Sequence, residues 1–323
     1  MTPSTTPRFE WIGRLDPEET GPTLRWHQHV QPLGERAPPP GSVTLIGFAV
    51  DEGVRRNRGR VGAAQGPLAT RQALCNLPVL GEPAVFDAGD VTCDGEQLEA
   101  AQQALAERVA QAIAARSLPL VMGGGHEVAW GTFQGVVAGH RAPHRVLIVN
   151  LDAHFDLREA AQGNSGTPFR QIQGLCASQQ RPFLYRVFGI SRYANTQALF
   201  ERAEHLGVRH WLDDDLQTPA GLQEAQTRLA IDLLACDAVY LSVCLDVLPA
   251  SQAPGVSGPA VLGVPLGHVE ALIDQVLASG KLIAADLAEL NPEHDHAALT
   301  ARTAARIAAR VARGAHHWLA AKA

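Results

Sequence analysis

The stretch Val146-Leu-Ile-Val-Asn-Leu151-Asp152-Ala-His154-Phe-Asp156 decides how this chain is read. Its first six residues form an apolar run of the length expected of a buried parallel strand. Residues two apart on a strand share a face, so Asp152, His154 and Asp156 point into one pocket as the chain leaves the sheet. Two carboxylates and an imidazole placed this way form a candidate metal site. The bland alternative is a capping and hydrogen-bonding cluster at a strand end, and the rest of the chain argues against it.

The same construction occurs twice more. Leu118-Pro-Leu-Val-Met122 runs into Gly123-Gly-Gly-His126-Glu127, and Ala238-Val-Tyr-Leu-Ser-Val243 runs into Cys244-Leu-Asp246. An open α/β sheet binds its ligands outside the carboxyl ends of its strands, and here three such ends carry metal-binding side chains. Further strands are expected at Val43–Phe48 and near 184 to 189 and 282 to 286, and the run from Ala238 is expected to form a strand near 239 to 245. Helices are expected at Gly66–Leu74, at Gln97–Ala115 and near 219 to 235, 266 to 279 and 298 to 321. This alternation predicts an α/β fold with a mostly parallel sheet and helices on both faces. Residues 1–41, which hold two Trp, two His and Ala37-Pro-Pro-Pro-Gly41, read as an arm packed on the body; residues 42–323 read as one domain. Gly123-Gly-Gly125 lacks the Lys-Ser/Thr of a phosphate loop, and His294-Asp-His296 sits in a polar segment after a proline and reads as a loop.

Composition narrows the partners. The 323 residues are 46% hydrophobic and 19% charged, with a formal charge of -6 and a pI near 6.1. That balance carries no footprint for nucleic acid or an anionic membrane and favours a small-molecule substrate. No apolar run approaches the roughly 18 residues of a membrane span, and Met1-Thr-Pro-Ser-Thr-Thr-Pro7 lacks the charged and apolar regions of a signal peptide, so a cytoplasmic protein is expected. Five cysteines, odd in number and widely spaced, do not form a secreted disulfide framework.

Taken together, Gly-Gly-Gly-His126, Asp152-Ala-His154-Phe-Asp156 and Ser242-Val-Cys244-Leu-Asp246 resemble the metal-binding motifs of the arginase, agmatinase and formimidoylglutamase family of ureohydrolases. Gly53-Val-Arg-Arg-Asn57-Arg58-Gly59-Arg60, Asp87-Ala-Gly89-Asp90 and Ala288-Glu289-Leu-Asn291-Pro292 extend the resemblance over about residues 42 to 315. It implies a three-layer arginase-like fold, a homo-oligomer and a binuclear manganese centre. One ion would take His126 and Asp156, the other His154 and Asp246, with Asp152 bridging both. The sixth ligand, a second bridging carboxylate in most members, falls on Cys244. Carboxylates and imidazoles suit Mn²⁺, and two ions roughly 3.5 to 4 Å apart lower the pKa of a water for attack at neutral pH. A thiolate keeps the single negative charge but is softer, and it is open to oxidation.

Within the family, the Asn57-Arg58-Gly59-Arg60 block, Ser165-Gly-Thr167-Pro-Phe169, Gly189-Ile-Ser-Arg192-Tyr-Ala-Asn195 and Asp246-Val-Leu-Pro249 look most like formimidoylglutamases. The implied reaction splits N-formimidoyl-L-glutamate into glutamate and formamide, in histidine degradation. Glu289 matches the position whose carboxylate holds the cationic end of the substrate, and a planar amidinium accepts such a two-point contact. Arg158 stands where a dicarboxylate substrate gives an arginine a purpose, with Asn57, Arg58, Ser165, Thr167 and Arg192 as further substrate contacts. A guanidine-hydrolysing member of the family and a metal-poor, non-catalytic binding protein are the alternatives, the latter kept open by Cys244.

Overall fold

The computed structural model describes residues 9–139 and 142–320. The first eight residues of the expected arm and residue 321, the end of the expected terminal helix, lie outside them. Among the described residues nine strands form one sheet in the order β1-β3-β2-β4-β9-β8-β5-β6-β7. These are β1 (Val30–Pro32), β2 (Val43–Ala49), β3 (Val85–Thr92), β4 (Leu118–Met122), β5 (Val146–Leu151), β6 (Leu184–Ile190), β7 (Arg209–Leu212), β8 (Ala238–Cys244) and β9 (Leu282–Ala288). Every pairing is parallel. The helices are α1 (Trp26–His29), α2 (Glu52–Arg56), α3 (Gly66–Leu74), α4 (Leu98–Ala114), α5 (Val128–Val136), α6 (Pro168–Ser178), α7 (Gln197–His205), α8 (Pro219–Ala235), α9 (Leu266–Ala278) and α10 (Leu299–Ala320).

Strand periodicity splits the core in two. Leu147, Val149, Leu151, Leu241 and Val243 pack under α3, α8, α9 and α10. Val146, Ile148, Tyr185, Val187 and Tyr240 pack under α4, α5, α6 and α7. Both faces of the central strands are therefore dry, which is why these strands read as nearly continuous apolar runs. The result is a three-layer α/β fold with helices on both faces.

The arm is tied down by its backbone. β1 adds an edge to β3, Trp26 N–H donates to Leu77 O at 3.0 Å, and Trp11 Nε1 donates to Asp87 Oδ2 at 3.0 Å. Three strands, β1, β3 and β7, and five helices, α1, α2, α5, α6 and α7, escape the sequence reading. β3 contains Asp87 and Asp90, polar for a strand, and both pair with Arg71 of α3, whose side chain is 1% exposed. His294 ends a short 3-10 turn, and Asp295 accepts the Thr300 N–H at 2.9 Å at the start of α10.

The central strands β4, β9, β8 and β5 are neighbours. Their carboxyl ends deliver His126, Glu289, Cys244 with Asp246, and Asp152 with His154 and Asp156, respectively, to one edge of the sheet.

Candidate metal centre

The turn after β4 is shaped by close approach: a Cβ on Gly124 would lie 1.8 Å from Val50 O. Gly124 O in turn accepts the Glu289 N–H at 2.8 Å, fastening the β4 and β9 ends together. Glu289 Oε1 accepts the His126 N–H at 2.9 Å. Two residues at this edge hold left-handed backbone, Asp156 at φ +49° and Glu289 at φ +71°. Such conformations are costly for side chains other than glycine and persist where surrounding structure enforces them, often at functional sites.

Asp152 is wholly buried and stands between two imidazoles. Its Oδ2 lies 2.9 Å from His126 Nδ1, and its Oδ1 lies 3.6 Å from His154 Nδ1. Asp156 Oδ2 also lies 2.9 Å from His126 Nδ1, and Asp246 Oδ2 lies 3.1 Å from His154 Nδ1. Yet His126 Nδ1 makes no hydrogen bond of proper geometry to either carboxylate. A buried ring nitrogen facing two carboxylates with no hydrogen-bond partner is the arrangement a cation completes.

Ligand atoms converge in two groups, His126 with Asp152 and Cys244, and Asp152 with His154 and Asp246. Asp152 belongs to both. Cys244 joins the His126 group, and Asp246 of the other group is the carboxylate that bears most on its thiol. Burial pushes the Cys244 thiol well above its ordinary value, and the neighbouring carboxylates of Asp246, Asp152 and Glu289 push it further. Burial alone would lower both imidazoles, but Asp152 and Asp156 raise His126, and Asp246 and Asp152 raise His154, well above the usual histidine range. Burial likewise opposes ionisation of Asp152, and the facing histidines outweigh it and lower the carboxyl.

Behind His126, the sheet supplies a hydrogen-bonded chain. His126 Nε2 meets Ser242 Oγ at 2.9 Å. Ser242 Oγ donates to Asp286 Oδ1 at 2.6 Å, and the Tyr240 hydroxyl donates to Asp286 Oδ2. With the hydroxyl committed to Asp286, Ser242 accepts from Nε2–H, which turns Nδ1 toward the carboxylates as the ring's candidate ligand atom. Ser242, Asp286, Asn150 and Tyr185 were not among the candidate site residues. The visible signal was polarity inside apolar strands, as in Leu282-Ile-Ala-Ala-Asp286-Leu-Ala288. Glu127, next to His126, has its carboxyl raised to about 8 by burial and the nearby Glu289.

Glu289 keeps Oε2 buried and unpartnered. Burial first, and Asp246 second, raise its carboxyl to about 7. A cationic group is the natural complement of that oxygen. Nearby, the loop after Asp156 folds against the segment around α2. Arg158 N–H donates to Gly166 O at 2.9 Å, Ser165 N–H to Gly53 O at 3.1 Å, and Asn57 Nδ2 to Ser165 Oγ at 3.1 Å. A Cβ on Gly166 would lie 2.7 Å from Arg158 Cδ, so glycine lets these pieces meet. Arg158, Thr167 and Arg170 line a cavity of about 370 Å³. Thr167 commits its hydroxyl locally, to Asn164 and to Gln171. Arg58 and Arg192 are exposed and make no side-chain hydrogen bond or ion pair among the described residues, while Arg60 holds Ser257 O at 2.9 Å.

The Arginase family pattern matches residues 41–313, most of the chain. The chain belongs to the arginase family. This arginase-family protein is 52% identical over 313 residues to a formimidoylglutamase of Ralstonia nicotianae, covering 94% of each chain. Among solved structures it superposes on formimidoylglutamase from Bacillus subtilis with a TM-score of 0.82 at 18% identity, over 94% of each chain, a likeness of fold. It is also similar to Trypanosoma cruzi formiminoglutamase with Mn2+2, with a TM-score of 0.72 and 26% identity over 84% of this chain and 93% of that one. Within the arginase-family fold, the donor set here is one that hard or borderline divalent ions such as Mn²⁺ fit.

Proposed function

We propose that this protein hydrolyses N-formimidoyl-L-glutamate to L-glutamate and formamide, using a pair of Mn²⁺ ions in each subunit. The observation that carries the proposal is Asp152, one carboxylate turned toward two imidazole-centred ligand groups, in a chain half identical to a formimidoylglutamase along nearly its whole length. His126 and Asp156 would hold one ion, His154 and Asp246 the other, with Asp152 shared and Cys244 as the sixth ligand. Two such ions, when bound, activate a water at neutral pH and withdraw electrons from the reacting carbon.

The chain's own residues do the rest. Glu289 Oε2, buried and unpartnered, receives the amidinium, and that cation holds the carboxylate ionised despite its raised pKa. Arg158 reads a carboxylate of the glutamate portion, with Asn57 and Ser165 shaping the loop around it. The water oxygen bonds to the formimidoyl carbon, the bond from that carbon to the glutamate nitrogen breaks, and this nitrogen leaves with a proton as the amine. A small-molecule substrate, a cytoplasmic setting and a homo-oligomeric assembly belong to the same proposal. Among the described residues all five cysteines are unpaired, and no helix is long and apolar enough to cross a membrane.

A substrate panel tests it. The reduced, Mn²⁺-loaded protein should show a kcat/KM for formimidoylglutamate at least about 100-fold above those for arginine, agmatine and guanidinobutyrate. A preference for any guanidine substrate would move the protein to another branch of the family, and inactivity on all four despite two bound ions would make it a binding protein.

A further inference from the structure

One step beneath the ligands, three adjacent strands carry a row of fully buried polar residues. Asn150 of β5 pairs in register with Ser242 of β8, and Ser242 with Asp286 of β9. Each is 0% exposed. Two residues further along, on the same face, stand Asp152 and Cys244. That face is otherwise apolar, packed by Phe133 against Tyr240 and by Phe169 stacked on Tyr185. Buried polar groups are costly unless they are paired, so each member of the row must hold something. Ser242 and Asp286 hold His126. Asn150 holds Asp152.

The geometry is specific. Asn150 Nδ2 donates to Asp152 Oδ2 at 3.0 Å and to the Tyr185 hydroxyl at 3.0 Å, and that hydroxyl donates onward to Phe155 O at 3.1 Å. The reverse amide orientation would aim the Asn150 oxygen at a carboxylate, so chemistry fixes which end is nitrogen. Asp152 Oδ1 is tethered separately, by the His154 N–H at 2.7 Å. Each oxygen of the shared carboxylate therefore has one N–H donor behind it and one imidazole in front: Asn150 and His126 for Oδ2, the His154 backbone and His154 ring for Oδ1.

We propose that Asn150 is a positioning residue that commits Asp152 Oδ2 to the His126 half of the centre. The inference rests on the two-ion reading of the site. Removing the amide frees Oδ2 to turn away, while the His154 backbone still holds Oδ1. The ion on the His126 side is weakened and the ion on the His154 side is largely kept. A side chain that only filled space would not separate the two.

Mn²⁺ titration of the full-length reduced protein, by calorimetry and by electron paramagnetic resonance, tests this. The parent should bind two ions and give the spectrum of a spin-coupled pair. Asn150→Leu, of similar volume, should weaken one binding step roughly 10- to 100-fold, as loss of outer-shell support does. The other step should move less than about 3-fold, and the six-line spectrum of an isolated ion should replace the coupled one at equal Mn²⁺. Tyr185→Phe removes only the hydroxyl that anchors Asn150 and should weaken the same step roughly 2- to 10-fold. A folded Asn150→Leu protein with both steps unchanged, or both weakened alike, overturns the proposal. If Asn150→Leu does not fold, Tyr185→Phe decides: one step weakened sustains the role of Asn150, and two unchanged steps overturn it. A parent that binds no pair of ions overturns the metal reading and the role of Asn150 with it, whereas a normal parent with a normal Asn150→Leu removes the role of Asn150 alone.

Discussion

Asp152→Asn is the perturbation with the largest consequence, because a single side chain serves both ligand groups. The substitution preserves shape and removes the charge. Two N–H donors, from His154 at 2.7 Å and Asn150 at 3.0 Å, now orient that carboxylate. An amide side chain can satisfy only one of them with its oxygen and presents its own N–H₂ to one imidazole, so at least one half of the centre meets a donor where it needs an acceptor. An interaction with a charged ligand is worth about 1.5 to 3 kcal/mol, and 3 kcal/mol corresponds to roughly 100-fold in affinity. Since the anion is shared, each ion loses it, and each binding step should weaken by about that factor. The assay is metal content after dialysis at micromolar free Mn²⁺, paired with calorimetric titration. The parent should retain two ions and Asp152→Asn fewer than one. Full occupancy in the variant, or clean loss of one ion with the other untouched, would refute the shared-ligand geometry.

The other expectations concern substrate, metal and pH. Arg158→Ala should raise KM for formimidoylglutamate roughly 10- to 100-fold with a smaller change in kcat, the cost of one lost charge-assisted pair; unchanged steady-state kinetics would move carboxylate recognition to another residue. Cys244→Asp should retain Mn²⁺ binding and resist peroxide, whereas the parent loses ions and turnover on oxidation and regains them with thiol reductant plus Mn²⁺; equal sensitivity of the two proteins would place the oxidisable group elsewhere. The metal-free protein should lose thermal stability as pH rises above about 6.5. His126 and His154 have raised pKa values in the folded state, so their stabilising contribution is complete below the unfolded-state value and disappears as they deprotonate. Over the same range Mn²⁺ affinity should increase, because both imidazoles and the Cys244 thiol must release protons to bind; affinity independent of pH between 6 and 8.5 would show that protons do not occupy the ligand positions.

Much of the fold was readable because the central strands are buried on both faces. Their continuous apolar runs, ending abruptly in His, Asp or Cys, expose both the sheet and the edge at which ligands gather. Elements that depend on tertiary partners were not readable. Val85-Phe-Asp-Ala-Gly-Asp-Val-Thr92 carries two aspartates that suit a strand only because Arg71 reaches them from α3. Arg209-His-Trp-Leu212 is an edge strand, and its hydrophobic pattern is too short to stand out. The convergence of these side chains at one edge was legible for the same reason as the strands, from the two-residue spacing that fixes a common face. The layer beneath it was harder. Asn150 lies in plain view inside Val146-Leu-Ile-Val-Asn-Leu151, but only the register with Ser242 and Asp286 reveals that three buried polar residues form one row. Nor does sequence show which arginines are already engaged: Arg60 holds backbone carbonyls, whereas Arg158 lines a cavity.

The central claim is that the carbon–nitrogen bond broken is the one between the formimidoyl carbon and the glutamate nitrogen. Formimidoylglutamate labelled with ¹³C at the formimidoyl carbon, incubated with the reduced Mn²⁺-loaded protein and followed by NMR, reports this directly. The label should appear in formamide, with unlabelled glutamate formed in equal amount, and both should vanish when a chelator strips the metal. Label in N-formylglutamate with release of ammonia, or no turnover by protein carrying two ions, would contradict it.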